Sequence, residues 1–291
     1  MQFRPLFVNN CNLKRFTTKK ELRQYLGEQA DSGMTIGLVP TMGALHRGHL
    51  SLIEQAKAQT NIVVCSIFVN PTQFNDPADL EKYPRPISSD IEKLEQVGCD
   101  VLFNPGVNEM YADNEQWHLN IGELEHLLEG KFRPGHYQGV TQVVYKLFNI
   151  VQPTLAFFGQ KDYQQFLVIS RMVELLNMPI KLVMCPIERE QDGLAMSSRN
   201  IHLSAQDREH ALVLSHTLNW VKQHFGDYSL AELKKTAENE INNMPGVELA
   251  YFELTDGKNL HEATAKTSNI VALVAAKVGN TRLIDNMIIT D

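Results

Sequence analysis

The stretch from residue 35 to residue 58 packs a strand, a turn and a helix end to end, and that junction restricts the fold more than any other part of the chain. Thr35, Ile36, Gly37, Leu38 and Val39 form an apolar run suited to a buried strand. The run continues through Val39-Pro-Thr-Met-Gly-Ala-Leu-His-Arg-Gly-His49 into residues 50–58, which have helical spacing. Pro40 and Gly43 shape the turn, and Gly48 lets backbone approach a ligand where the helix opens. His46 and His49 are three apart, so both can face one point across that opening. Unpaired N–H groups and the helix dipole make the same place attractive to phosphate. The competing reading is a loop that the histidines merely cap or solvate. Zinc would need a third ligand at a recognisable spacing, and no Cys or His cluster supplies one.

The rest of the first two-thirds repeats the alternation. Residues 62–69, 100–104, 154–158 and 180–187 read as strands, and residues 89–97, 140–151 and 163–176 as helices. Strands separated by helices predict a parallel sheet wrapped on both faces, with ligands gathering beyond the carboxyl ends of the strands. After Asp192-Gly193 the character changes. Residues 206–224 and 230–242 read as surface helices, and 247–254 as a strand. Residues 269–278 and 282–289 form a hairpin about Gly279-Asn280. This predicts a smaller α+β domain, with residues 1–187 and 188–291 as the two units.

Hydrophobic residues make up 43% of the chain, enough for a substantial core, and the net charge of −7 argues against a nucleic-acid backbone as the main partner. Cys11, Cys65, Cys99 and Cys185 are scattered, with no C-x-x-C, so free thiols in a reducing compartment are expected. The N-terminal Met-Gln-Phe-Arg-Pro lacks a signal pattern and no apolar run reaches membrane-spanning length, which makes the cytoplasm the expected location.

Four further motifs follow strand candidates or join the halves. Asn70-Pro-Thr-Gln-Phe74 presents two amides on a proline-fixed turn, either for a small polar substrate or as ordinary turn chemistry. Lys131-Phe-Arg-Pro-Gly-His136 is a basic loop, solvated or clamping an anion through Arg133. In Phe157-Phe-Gly-Gln-Lys-Asp-Tyr-Gln-Gln165, Lys161 can neutralise a phosphate or carboxylate; the alternative is a buried Lys161–Asp162 pair kept for structure. Gln164 and Gln165 fall on adjacent helix faces, so at most one needs to enter a site. Asp192-Gly-Leu-Ala-Met-Ser-Ser-Arg-Asn200 offers hydroxyl, backbone and guanidinium donors for phosphate oxygens, or is an exposed hinge.

In this order, the motifs resemble the pantothenate synthetases, the pantoate–β-alanine ligases, over essentially the whole N-terminal two-thirds. The resemblance implies a Rossmann-like domain of the H-x-G-H nucleotidyltransferase type with a small α+β C-terminal lid, usually as a homodimer. It implies ATP and Mg²⁺, pantoate and β-alanine as small-molecule substrates, and a pantoyl-adenylate intermediate. By resemblance, Met42, Gly43, Ala44, Leu45, His46, Arg47, Gly48 and His49 line the ATP phosphates, with His46, His49 and Lys161 catalytic and His49 a proton donor. Gly159, Gln160, Lys161, Asp162, Glu188, Met196, Ser197, Ser198 and Arg199 complete the ATP site. Gln73, Gln165 and Asn70 belong to the pantoate pocket, with Tyr83 and Arg133 nearby. No resident metal ligand is implied. The sequence departs from the family pattern at Gln160, commonly Glu, at Gln142, commonly Thr, and at Glu188, usually apolar. A related nucleotidyltransferase with another acceptor, and a non-catalytic nucleotide binder, are the competing functions.

Overall fold

The computed structural model describes residues 13–112 and 115–290. Cys11 and the first five residues lie outside that range. The elements run β1 (Lys14–Phe16), α1 (Lys19–Asp31), β2 (Ile36–Thr41), α2 (Arg47–Gln59), β3 (Ile62–Ile67), α3 (Pro77–Lys82), α4 (Ile87–Gln96), β4 (Val101–Phe103), α5 (Val107–Met110), α6 (Leu128–Phe132), α7 (His136–Val151), β5 (Leu155–Gly159), α8 (Tyr163–Leu175) and β6 (Lys181–Cys185). They continue with α9 (Ala205–Gln223), α10 (Leu230–Asn242), β7 (Val247–Asp256), β8 (Ile270–Val278) and β9 (Thr281–Thr290).

Six strands form one sheet in the order β1-β4-β3-β2-β5-β6, parallel at every pairing. All six residues of β3 are buried, as expected for a strand covered on both faces. Leu22, Leu26, Val144, Phe148, Ile169 and Met172 cover one face from α1, α7 and α8. Leu52, Ile53, Ala56 and Leu94 cover the other from α2 and α4. From β2 the chain builds outward through β3 to β4, then returns to the opposite side of β2 for β5 and β6. The reversal point therefore lies between β2 and β5, where open α/β sheets collect their ligands. β2 pairs with β5 only at Gly37 and Leu38. Beyond them the two carboxyl ends part, and Pro40, which has no N–H to donate, needs no partner on that side.

The second sheet is antiparallel, β7-β8-β9. β8 divides its side chains by the two-residue period. Ile270, Ala272, Val274, Ala276 and Val278 pack towards α9 and α10, while Val271 and Leu273 join Tyr163 and Leu260 on the opposite face. The predicted hairpin forms, with Gly279 at φ +55° in its turn. α9 and α10 are more than surface helices: Leu214, Leu218, Val221, Leu233 and Ile241 are buried in this second core. β1 and α1 have no counterpart in the sequence reading. Cys65 and Cys185 are buried free thiols, as expected, and Cys99 is buried as well. Among the described residues no helix is long and apolar enough to cross a membrane.

Candidate active site

A cavity of about 250 Å³ opens where β2 and β5 separate. One wall is the start of α2. His46 is the N-cap of that helix: its Nδ1 accepts from the Gly48 N–H at 3.2 Å. His49 reaches back, its Nδ1 accepting from the His46 N–H at 3.3 Å, and the ring centroids stand 4.0 Å apart. The capping reading of the motif thus holds, and it leaves both rings on the cavity wall. With each Nδ1 an acceptor, the proton of each neutral ring sits on Nε2, which is left as a donor on a cavity both rings line. Burial pushes His46 down to about 4, helped by the Lys161 charge. Burial and then the neighbouring His46 push His49 well below the usual imidazole value. Both rings are neutral donors at physiological pH. They take over from free helix amides, since the Gly48 N–H is already spent on His46.

The turn leading into this helix is held from behind. Gly43 and Ala44 both have positive φ, +83° and +50°. Asp90 of α4, buried, accepts from the N–H groups of Ala44 and Leu45 at 2.8 and 2.7 Å. Lys93, one turn further along α4, donates to the Leu45 carbonyl at 2.7 Å. Ala44 and Leu45 therefore spend their amides on a carboxylate and do not line the cavity, contrary to the expectation for them. Gly43 also stands off the wall, its N–H on Thr41 Oγ1. Arg47 turns outward into a forked pair with Glu54 at 2.6 and 2.7 Å. Asp90 and Lys93 were missed because their partners are distant in sequence.

The facing wall is the turn after β3. Asn70, 1% exposed, spends its amide inside the protein. Its Nδ2 donates to the Gly139 carbonyl at 3.0 Å and to Gln73 Oε1 at 3.1 Å, and its Oδ1 accepts from Tyr111 Oη at 2.6 Å. It borders the cavity but serves to hold Gln73, whose Nε2 contacts Met42 Sδ at 3.0 Å. The Gln73 carbonyl accepts from His136 Nδ1 at 2.8 Å, and Arg133 Nη1 donates to His136 Nε2 at 3.1 Å. That chain fixes His136 as the Nδ1–H tautomer, and burial with the Arg133 charge pushes its pKa down to about 4. Val140, Val143, Val144 and Leu147 of α7 supply an apolar side that helical periodicity alone presents as core.

The third wall carries the remaining motifs. Gly159, Lys161, Asp162 and Gln165 line it after β5. Lys161 is 19% exposed and Asp162 51%, with 3.8 Å between their charged atoms, so this is no tight buried pair. Gln165 faces the cavity, while Gln164 is buried and bonded to the carbonyls of Leu124 and Leu127 and the Glu129 N–H. Gln160 points away, to Asn286. Glu188, Met196, Ser197, Ser198 and Arg199 close the cavity from the segment before α9, with Tyr83 and Arg133 beside them. The Glu188 carbonyl accepts from the Met196 N–H at 3.0 Å. Two neutral imidazoles, Lys161, Arg199 and Arg133 thus converge on a space with two amides and an apolar side, a donor set for a polyanion beside a small polar acid.

Residues 14–288 match the model of the family described as pantoate-beta-alanine ligase. A pantothenate synthetase of Phocaeicola vulgatus is 47% identical over 278 residues, covering 94% of this chain and 99% of its own. One of Desulfitobacterium hafniense is 46% identical, covering 92% and 96%. The crystal structure of pantothenate synthetase from Thermus thermophilus superposes with a TM-score of 0.91 at 40% identity, over 96% of this chain and 100% of that one. A pantoate-β-alanine ligase from Francisella tularensis, complexed with β-γ ATP and β-alanine, gives 0.79 at 35%, over 95% and 97%. The chain belongs to the pantoate–β-alanine ligase family.

Proposed function

We propose that the cavity between β2 and β5 carries both halves of an ATP-dependent ligation of pantoate with β-alanine. In the first half a pantoate carboxylate oxygen attacks the α-phosphorus, the bond to the bridging oxygen breaks, and pyrophosphate leaves. In the second the β-alanine amine attacks the acyl carbon of pantoyl adenylate and forms the C–N bond, the acyl C–O bond breaks with its electron pair leaving on AMP, and the amine gives up a proton. ATP-dependent ligation of these two acids is the activity of the family.

The observation that carries the assignment is the pair of neutral imidazoles. Both are locked by Nδ1 with Nε2–H on the cavity, preorganised for charge that grows on phosphate oxygens at attack. His46 and His49 stabilise the transferring group, His49 by donating a hydrogen bond from a ring that stays neutral. Lys161, Ser197, Ser198 and Arg199 bind phosphates from the opposite wall, with Met42, Gly48, Gly159 and Asp162 around them and Glu188 and Met196 on the nucleoside side. Gln73 and Gln165 hold pantoate on the side lined by α7.

Mg²⁺ accompanies ATP in this reading and screens its phosphates. Among the described residues no cluster of His, Cys, Asp or Glu would hold a metal alone. Asp162, half-exposed on the wall, suits an ion kept mainly by phosphates and waters. Residence in the cytoplasm, pairing as a homodimer, and a division into an ATP- and pantoate-binding unit (1–187) and a lid (188–291) also belong to the proposal.

The test is pantoate-dependent exchange of labelled pyrophosphate into ATP, with Mg²⁺ and without β-alanine. Exchange is expected. Its absence while ATP and pantoate both bind would overturn adenylation in favour of a non-catalytic binder or another acceptor.

A further inference from the structure

Two consecutive residues of β9 grip the third wall of the cavity from behind. Asn286 is buried, 2% exposed. Its Nδ2 donates to the main-chain oxygens of Gln160 and Lys161, each at 2.9 Å, and its Oδ1 accepts from Gln160 Nε2 at 3.1 Å. Every hydrogen-bonding function of this side-chain amide but a spare lone pair goes to one short turn, the turn that carries Lys161. Asp285, also buried, holds Arg189 in a forked pair at 2.7 and 3.0 Å. Arg189 Nη1 also donates to the Gly193 carbonyl at 3.1 Å, on the way to Met196–Arg199. The two grips are adjacent: Lys161, Ser197 and Asp285 line a second, small cavity of about 10 Å³.

The need for such a grip follows from Lys161 itself. Its ion pair with Asp162 is long and Asp162 is half in solvent, so a side-chain partner does little to fix the ammonium. The main chain of the turn has to do so. That turn spans only Gln160–Asp162, a single tight turn whose own bonding lends its main chain little rigidity.

We infer that Asn286 is a positioning residue for the adenylation step: by clamping the carbonyls of Gln160 and Lys161, the C-terminal sheet sets where the Lys161 ammonium stands. Seating of that sheet and correct placement of Lys161 are then one event. The side chain of Gln160, which stands off the cavity, belongs to the same clamp. The inference rests on the assignment of Lys161 to the phosphates made above.

The experiment is a double-mutant cycle in the full chain, read by pantoate-dependent pyrophosphate exchange, with Lys161→Ala, Asn286→Leu and the two combined. Asn286→Leu keeps the branched shape, with bulkier tips, but offers no donor. Asn286 variants are expected to slow kcat about 10–100-fold, the scale of a misplacement of about 1 Å, while the KM for ATP moves less than about 3-fold. The double variant is expected to be no slower than Lys161→Ala alone, because a clamp with nothing to position has nothing left to lose. Asn286→Ser, too short to span both carbonyls, provides the same comparison where the leucine variant does not fold. Additive losses, or wild-type exchange in the Asn286 variants, would overturn the clamp and leave the role of Lys161 standing. Wild-type exchange in Lys161→Ala would overturn that role, and the clamp with it.

Discussion

Gly139→Ala should destabilise the protein, although the substitution lies inside α7 and alanine is the better helix former by about 1 kcal/mol. A Cβ at this position would collide with the Thr72 carbonyl oxygen and stand 2.5 Å from its carbon and 2.7 Å from the Gln73 nitrogen. All three are main-chain atoms, so no side chain can rotate away, and ordinary contact requires the Thr72–Gln73 peptide to retreat by about 1 Å. Asn70, which binds the Gly139 carbonyl and the Gln73 side chain together, resists that movement. Overpacking of this kind costs about 1–3 kcal/mol. At the upper end, less the helical gain, the net loss is about 2 kcal/mol, or about 4–8 °C in Tm. Gln73 moves with its peptide, so kcat/KM for pantoate in the exchange assay should fall about 100-fold. Gly27→Ala in α1 is the control: nothing lies within 4 Å of its Cβ, and the intrinsic preference should raise Tm. If Gly139→Ala raised Tm as Gly27→Ala does, or left pantoate dependence unchanged, the packing of α7 on the Asn70–Gln73 turn would not be as described.

His49→Ala should lower kcat for exchange about 100–1000-fold, with far less effect on ATP binding; equal losses in calorimetric affinity and rate would remove the transition-state role. Burial holds His46 and His136 down at about 4 and His49 well below the usual imidazole value, so below about 6.5 the unfolded chain takes up protons that the fold refuses. Their contribution to stability is full above about pH 6.5 and drains away as pH falls towards about 4. His46→Asn keeps a helix cap and deletes one such group, so urea midpoints across that window should fall less steeply; an unchanged slope would show that His46 titrates normally. Asp90→Asn leaves one oxygen for two N–H groups and should cost about 1–3 kcal/mol in urea unfolding, with slower exchange as His46 shifts. Unchanged stability would mean that Ala44 and Leu45 find other acceptors readily.

Elements with a local cause were legible in the sequence. β3 opens on the β-branched run Ile62–Val64, and the β8–β9 hairpin is announced by Gly279-Asn280 between two strand-like runs. α1 was not, because Lys19–Asp31 is largely polar, buries only Leu22 and Leu26, and contains a glycine. β1 is a three-residue edge strand that owes its form to pairing with β4. The same division runs through the site. His46 and His49 announce themselves by spacing, yet their part in the cap does not, since the familiar capping box has Ser or Thr with Glu or Gln at these positions. Met42, Gln73, Lys161 and Ser197 fall in recognisable motifs. Asp90 and Asn286 do not, because a carboxylate serving amides 46 residues away and an amide serving carbonyls 126 residues away leave no local trace. The motif also overstated itself: Arg47 sits between the two histidines in sequence but points to Glu54 and solvent.

At the start of α2 the atoms that hold the helix are the atoms that aim the donors. Ser, Thr, Asp and Asn are the strongly preferred caps, and a helix chosen for rigidity alone would carry one of them. Imidazole at position 46 gives up some capping strength for an N–H on the cavity, so the first turn of α2 is expected to fray before the sheet behind it. If that turn frays, Gly48 leaves one ring and the main chain of His46 leaves the other. Both tautomers then come loose together, while the sheet behind them stays intact. Catalytic competence and the folded state should therefore be lost as separate transitions on warming, activity first.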